Sequence, residues 1–398
     1  MDLDASSGVG GHQWQSGMIR ALHIVSGKLY GGVETLLVTL ARYRKSCPTL
    51  DQQFAVCFDG RLREEMVAAG AVVHDLGTVR VRQPISIWRA RNRLRKLLEQ
   101  HKIDVVVCHM AWAHAIFAPV VRAADKSLVF WLHMATDGQH WLERWARMTE
   151  PDLAIAPSRF TAESMAAMFP RIESRVVHYA VAPPDDSLRN ERSVVREEFE
   201  TSLDAIVIVQ ACRMETWKGH SVHLDALADL REVPGWICWM VGGAQRVHEV
   251  QYLESLKQLA SRLGIADRIR FAGQRADVPR ILAAADIYCQ PNTGLEGLPI
   301  VFTEALDAGL PIITSDLGGF QEIVDQSCGI RVAAGDARGV AAALRRLIID
   351  GSLRRQLGSA GPAKARALSD PEAQIRLMGA LFEGLVQSKH AVAAAHRI

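Results

Sequence analysis

Two glutamates, Glu296 and Glu304, stand in the segment Pro291-Asn292-Thr293-Gly294-Leu295-Glu296-Gly297-Leu298-Pro299-Ile300-Val301-Phe302-Thr303-Glu304. An ionised carboxylate only accepts hydrogen bonds, so a pair of them suits the neighbouring hydroxyls of a ribose or a hexose. Gly297 follows the first glutamate, and Pro299 fits the first position of a helix, where its missing N–H costs nothing. The helix start then offers the N–H groups of Leu298 and Ile300, and such an end attracts phosphate. Upstream, Ala211-Cys212-Arg213-Met214-Glu215-Thr216-Trp217-Lys218-Gly219-His220 follows an apolar run. Arg213 offers a fork of donors and Lys218 a point charge, a pairing suited to a diphosphate. Brought together, the two segments have the chemistry to hold a diphosphate with sugar hydroxyls on either side of it.

The elements that would position them alternate. Apolar runs at 21–25, 54–58, 104–109, 128–133 and 152–156 read as strands, with helical patterns at 61–69, 112–124 and 159–169. The alternation breaks at Tyr179-Ala180-Val181-Ala182-Pro183-Pro184-Asp185-Asp186 and restarts with strands at 205–209, 236–241, 268–271, 286–290 and 312–314. Continuous apolar strands alternating with helices imply parallel sheets covered on both faces. The expected fold class is therefore α/β, with two doubly wound domains facing a central cleft. The divisions expected are a tail at 1–17, a first domain at 18–182, a second at 183–371 and a helix at 372–390 returning to the first. A hinge near 179–190 would let the cleft close.

Composition narrows the classes. The chain has 398 residues, 49% hydrophobic and 23% charged, which excludes disordered, collagen-like and disulfide-stapled proteins. Its 46 Lys+Arg balance 44 Asp+Glu, so charge gives no argument for nucleic acid. No run approaches the ~18 apolar residues of a membrane-spanning helix. Seven scattered cysteines without a C-x-x-C pair fit a reduced, cytoplasmic protein. Between Arg80 and Lys102 lie eight basic residues and one acid, Glu99, with Ile87, Leu94, Leu97 and Leu98 on one helical face. That pattern reads either as a core-packed helix with a solvated face or as a peripheral contact with an anionic membrane. Trp112, Trp131, Trp141 and Trp145 read either as core or as a surface for sugar or lipid.

Taken together, these segments resemble the retaining glycosyltransferases of family 4, which have the GT-B fold of two Rossmann-like domains. Glu296 and Glu304 match the family's E-x7-E motif, and Arg213 with Lys218-Gly219 matches its Arg…Lys-Gly pair. Gly31-Gly32-Val33-Glu34, Val241-Gly242-Gly243, Phe271-Ala272-Gly273 and 308–324 match further motifs. The resemblance implies that Arg213 and Lys218 bind the donor diphosphate, Glu304 the ribose and Glu296 the transferred sugar. It implies that Gly31 and Gly32 line the cleft from the acceptor side, with Gly243 and Gly273 among the binding residues. His133 would approach donor sugar and acceptor, where a neutral imidazole could relay a proton, and His109, after Cys108, is a similar candidate. No metal or other cofactor is expected; the partners are a nucleotide-sugar donor and a carbohydrate, lipid or small-molecule acceptor. A nucleotide-sugar epimerase of the same architecture and a non-catalytic nucleotide-sugar binder remain open at this stage.

Overall fold

The structure, a computed structural model, describes residues 17–395. The tail expected at 1–17 lies outside the described residues except for Gly17. Strands β1 (Ile19–Val25), β2 (Leu50–Val56), β3 (Val72–Asp75), β4 (Val105–His109), β5 (Ser127–Trp131), β6 (Leu153–Ala156) and β7 (Ser174–Val176) form one parallel sheet. Its order is β3-β2-β1-β4-β5-β6-β7. Strands β8 (Ile206–Ala211), β9 (Trp236–Val241), β10 (Ile269–Gly273), β11 (Ile287–Gln290), β12 (Ile312–Ser315) and β13 (Gly329–Val332) form a second, in the order β10-β9-β8-β11-β12-β13.

The central strands are the apolar ones. Every residue of β4 (Val-Val-Val-Cys-His) is buried, as is every residue of β5 and β11. Such strands need cover on both faces, and helices supply it. One face of the first sheet packs on the helix Gly32–Arg42 and the last helix, Pro371–Ala395; the other packs on Pro84–Gln100 and Met110–Ala123. In the last helix Ile375, Met378 and Phe382 are buried in the core that holds Leu36 and Leu50. Burying each such side chain contributes roughly 1.5–3 kcal/mol. These contacts fasten the carboxyl-terminal helix to the first sheet.

Both sheets reverse their strand order between the first strand and the one that follows the side excursion, β1/β4 and β8/β11. In doubly wound sheets that switch leaves a crevice beyond the carboxyl ends of the strands, where ligands bind. The loops after β1, β8 and β11 carry Gly31, Arg213 and Glu296, and His109 is the last residue of β4. Met110, directly after β4, has φ +68°, which an L-residue adopts only at a cost.

Some expectations shift. Pro299 is the residue before the helix, with extended backbone, and the helix itself is Ile300–Asp307. Helix Pro84–Gln100 buries Ala90, Leu94, Leu97 and Leu98, whereas Ile87 is only half-buried. Ile85 and Trp88, in its first turns, are 65% and 64% exposed. The four tryptophans do not gather around His133. Trp131 alone stacks on it; Trp112 and Trp145 pack in a different core, and Trp141 is exposed.

Candidate active site

A cavity of about 720 Å³ lies between the two sheets, within the size range of small-molecule sites. Gly31, Gly32 and His133 line it from the first sheet's side. Arg213, Lys218, Gly243, Glu296, Leu298, Ile300 and Glu304 line it from the second. His109, Gly273 and Gly297 do not. His109 stands one ring behind His133. Gly273 supports the cavity from outside, its carbonyl accepting from Gly242 N–H at 2.8 Å. Gly297 faces the first sheet's loops: a Cβ there would come within 2.9 Å of the His133 carbonyl and 2.8 Å of Thr161 Oγ1. That glycine permits a close approach between the two halves and does not face a ligand.

The floor is made by the loops after β8 and β11. Gly219, at φ +74°, ends the β8 loop; a Cβ there would sit 1.8 Å from the Pro291 carbonyl oxygen. Only glycine lets the two loops press together. Trp217 O accepts from the N–H groups of Thr293 at 2.9 Å and Gly294 at 3.2 Å. The result fixes Lys218, which is 7% exposed. Its ammonium bonds Glu296 and lies 4.2 Å from the Trp217 ring centre. Asn292 Nδ2 donates to the other Glu296 oxygen at 2.9 Å, and Gln290 Nε2 donates to Asn292 Oδ1 at 2.8 Å. Glu296 is therefore held on both oxygens, each of which keeps a lone pair for a ligand. Arg213 pairs with Glu215 at 2.9 Å on the same floor. Above it, Ile300 and Val301 open a helix whose first N–H groups have no intrahelical acceptor.

Glu304 sits one turn into that helix and reaches the cavity. Burial, with Asp307 beside it, pushes its carboxyl up to about 7. Behind the opposite wall Glu34 accepts from Gly31 N–H at 2.9 Å, and burial raises its carboxyl too. The imidazole of His133 is buried and hydrogen-bonded at both nitrogens, to His109 at 2.8 Å and to the Tyr179 hydroxyl at 2.9 Å. It has no spare nitrogen for a substrate. The group presented in its place is Tyr179, which lines the cavity.

Tyr179, Tyr30 and Gln245 escape a reading of the sequence. Tyr30 and Gln245 clasp the two halves through a pair of amide hydrogen bonds, Tyr30 N–H to Gln245 Oε1 at 3.0 Å and Gln245 Nε2 to Tyr30 O at 2.7 Å. Glu322 makes a second clasp, accepting from Arg159 N–H at 2.9 Å and Phe160 N–H at 2.8 Å. Glu322 lies in the matched 308–324 stretch, but its partners carry no motif. Only the fold brings them together.

Two Rossmann-like sheets with a cleft between them, floored by the loops of Arg213, Lys218 and Glu296, form the GT-B architecture. Residues 191–364 match the model of the glycosyl transferases group 1, and residues 30–183 that of glycosyltransferase family 4. The lipopolysaccharide core biosynthesis glycosyltransferase LpsD of Rhizobium meliloti is 34% identical over 364 residues, 87% of this chain and 93% of that one. A GDP-mannose-dependent alpha-(1-6)-phosphatidylinositol monomannoside mannosyltransferase of Mycobacterium tuberculosis is 30% identical, covering 68% of this chain and 73% of its own. Among solved structures, Anabaena HepE in complex with UDP superposes with a TM-score of 0.79 at 22% identity, over 92% of this chain and all of that one. The chain belongs to the family 4 glycosyltransferases, and it is an enzyme of that class.

Proposed function

We propose that this enzyme moves a hexose from a nucleoside diphosphate sugar to an acceptor hydroxyl with retention of the anomeric configuration, without a metal ion. The observation that carries this reading is the floor of the cavity. Arg213, Lys218 and the start of the Ile300–Asp307 helix line the same cavity as Glu296 and Glu304. Charge developing on a departing diphosphate is stabilised there in a largely enclosed site, a task that a divalent ion performs in other enzymes. Glu304 takes the ribose, which stays with the diphosphate. Glu296, tied to Lys218, takes the hydroxyls of the sugar that leaves. The bond from the sugar's anomeric carbon to the β-phosphate oxygen breaks, and the acceptor oxygen bonds that carbon on the same face. The departing phosphate takes the acceptor's proton. No enzyme nucleophile is required; positioning and electrostatics supply the acceleration.

A GDP- or UDP-sugar is the donor class to try first, since the mannosyltransferase relative is named for GDP-mannose and HepE is described with UDP. The relatives' names point to a lipid or glycan acceptor. The exposed Trp88 and Ile85 beside Arg82 and Arg89 suit a peripheral contact with an anionic membrane that carries such an acceptor. The test is to supply isotope-labelled UDP-glucose and GDP-mannose with a lipid and glycan extract of the host and to read the new linkage by NMR. Both donors are α-linked, so an α-linked product is expected. A β-linked product would overturn retention.

A further inference from the structure

Behind the cavity wall runs a line of three buried histidines. His23 Nδ1 lies 3.0 Å from His109 Nε2, His109 Nδ1 lies 2.8 Å from His133 Nε2, and His133 Nδ1 lies 2.9 Å from the Tyr179 hydroxyl. The strands set this spacing. His23 sits in β1, which pairs with β4; His109 ends β4, which pairs with β5; His133 follows β5. The planes of His109 and His133 lie within 7° of each other and those of His23 and His109 within 31°. His23 stacks on Phe54 at 5.4 Å, and its Nε2 has no partner among the described residues.

A neutral imidazole has one N–H and one bare nitrogen. Each nitrogen-to-nitrogen contact holds a single proton. Only two arrangements therefore satisfy the line. In one, all three rings carry the proton on Nε2, and the Tyr179 hydroxyl donates to His133. In the other, all three carry it on Nδ1, His133 donates to the Tyr179 oxygen, and the hydroxyl proton turns toward the His133 carbonyl, 3.4 Å away, or the cavity. The three rings switch together or not at all. Burial pushes all three imidazoles well below the ordinary histidine range, so the line is uncharged. It is also a poor proton store. A proton passed inward from Tyr179 would end as an imidazolium at His23, buried against Phe54.

We propose that His109 and His23 are positioning residues, which hold the His133 ring and aim the Tyr179 hydroxyl through a line of imidazoles that share one tautomer. The functional half of this inference rests on the glycosyltransferase reading above; the tautomer half does not. It assigns purpose to two histidines that never meet the ligand.

The test is histidine-selective nitrogen NMR on the full chain without ligand, assigned by single substitutions. His23, His109 and His133 are expected to be neutral from pH 5 to 8 and to carry the proton on the same ring nitrogen. Opposite tautomers in two neighbouring rings, or an imidazolium in that range, would overturn the proposal. The second measurement is His109→Phe, which alters no cavity-lining residue. It is expected to change the His133 nitrogen shifts and to lower kcat about tenfold or more with the donor KM unchanged, as misaimed groups do. Unchanged His133 shifts or an unchanged kcat in a folded variant would overturn it. Should His109→Phe fail to fold, His23→Phe takes its place with the same readouts and expectations. If wild-type protein turns over no donor while the shared tautomer is seen, the transferase reading fails and the hydrogen-bonded line stands.

Discussion

In the proposed reaction Glu304 and Glu296 carry different parts of the work. Burial holds the Glu304 proton up to about pH 7, whereas an unfolded chain releases it in the ordinary carboxylate range. Between those limits the folded protein binds more protons, so ionising Glu304 costs stability as pH rises. A ribose diol donates to the ionised form and draws the pKa down. Nucleoside diphosphate is therefore expected to bind more tightly as pH rises through 7, by about tenfold between pH ~6 and ~8. Calorimetry on wild type and Glu304→Gln isolates this part, because the variant cannot show it. Removing a hydrogen bond to a charged group costs about 1.5–3 kcal/mol, so Glu304→Gln should bind the diphosphate ten- to a hundredfold more weakly. Glu296→Gln should not weaken that binding, since it frees Lys218, but should lose turnover. Equal loss of diphosphate affinity in both variants would contradict the division. Residue type and spacing were enough to single out Glu296, Glu304, Arg213 and Lys218, because each lies in a loop or helix start with a local signature. Tyr179 has none: it sits in a proline-broken segment, and it faces the cavity only because His133, from another strand, reaches it.

At the scale of elements, the critical join is the contact between the β8 and β11 loops. Gly219 combines φ +74° with a Cβ position 1.8 Å from the Pro291 oxygen. Gly219→Ala should cost about 2 kcal/mol or more, since left-handed backbone alone costs an L-residue roughly 1–2 kcal/mol and the two loops must also part. Denaturant unfolding measures the first effect and loss of turnover the second; a variant within ~0.5 kcal/mol of wild type would show that the loops do not need this contact. The strands of the core are legible because they are continuous apolar runs. The edge strands β7 and β13 are not: Ser174-Arg175-Val176 and Gly329-Ile330-Arg331-Val332 are short, and each is partly exposed. Helix Ala337–Ile349 has a readable period in Val340, Leu344, Leu347 and Ile348 but no site chemistry to draw notice. His109 is legible as a candidate by type. Its place behind His133 follows from the register of β4 against β5, which composition and spacing do not reveal.

For the molecule as a whole, two sheets are held face to face around the floor of Arg213 and Lys218. The clasps of Tyr30 with Gln245 and of Glu322 with the start of Arg159–Ser164 join the halves across the cavity. The last helix is anchored in the first sheet's core, and Val181 N–H donates to Ser369 O at 3.0 Å where the chain crosses back. In the proposed reaction donor and acceptor meet between the floor and the Tyr179 wall, where the buried Lys218 pairs with Glu296. The most direct measurement is release of nucleoside diphosphate from a panel of nucleotide sugars, with host lipid and glycan extract as acceptor, by wild type and by Lys218→Ala. The account predicts at least one donor that wild type consumes and that Lys218→Ala consumes roughly 10²–10³ more slowly, as when an oxyanion donor is removed. No donor consumed by wild type, or a Lys218→Ala rate within a factor of about two of it, would contradict the account.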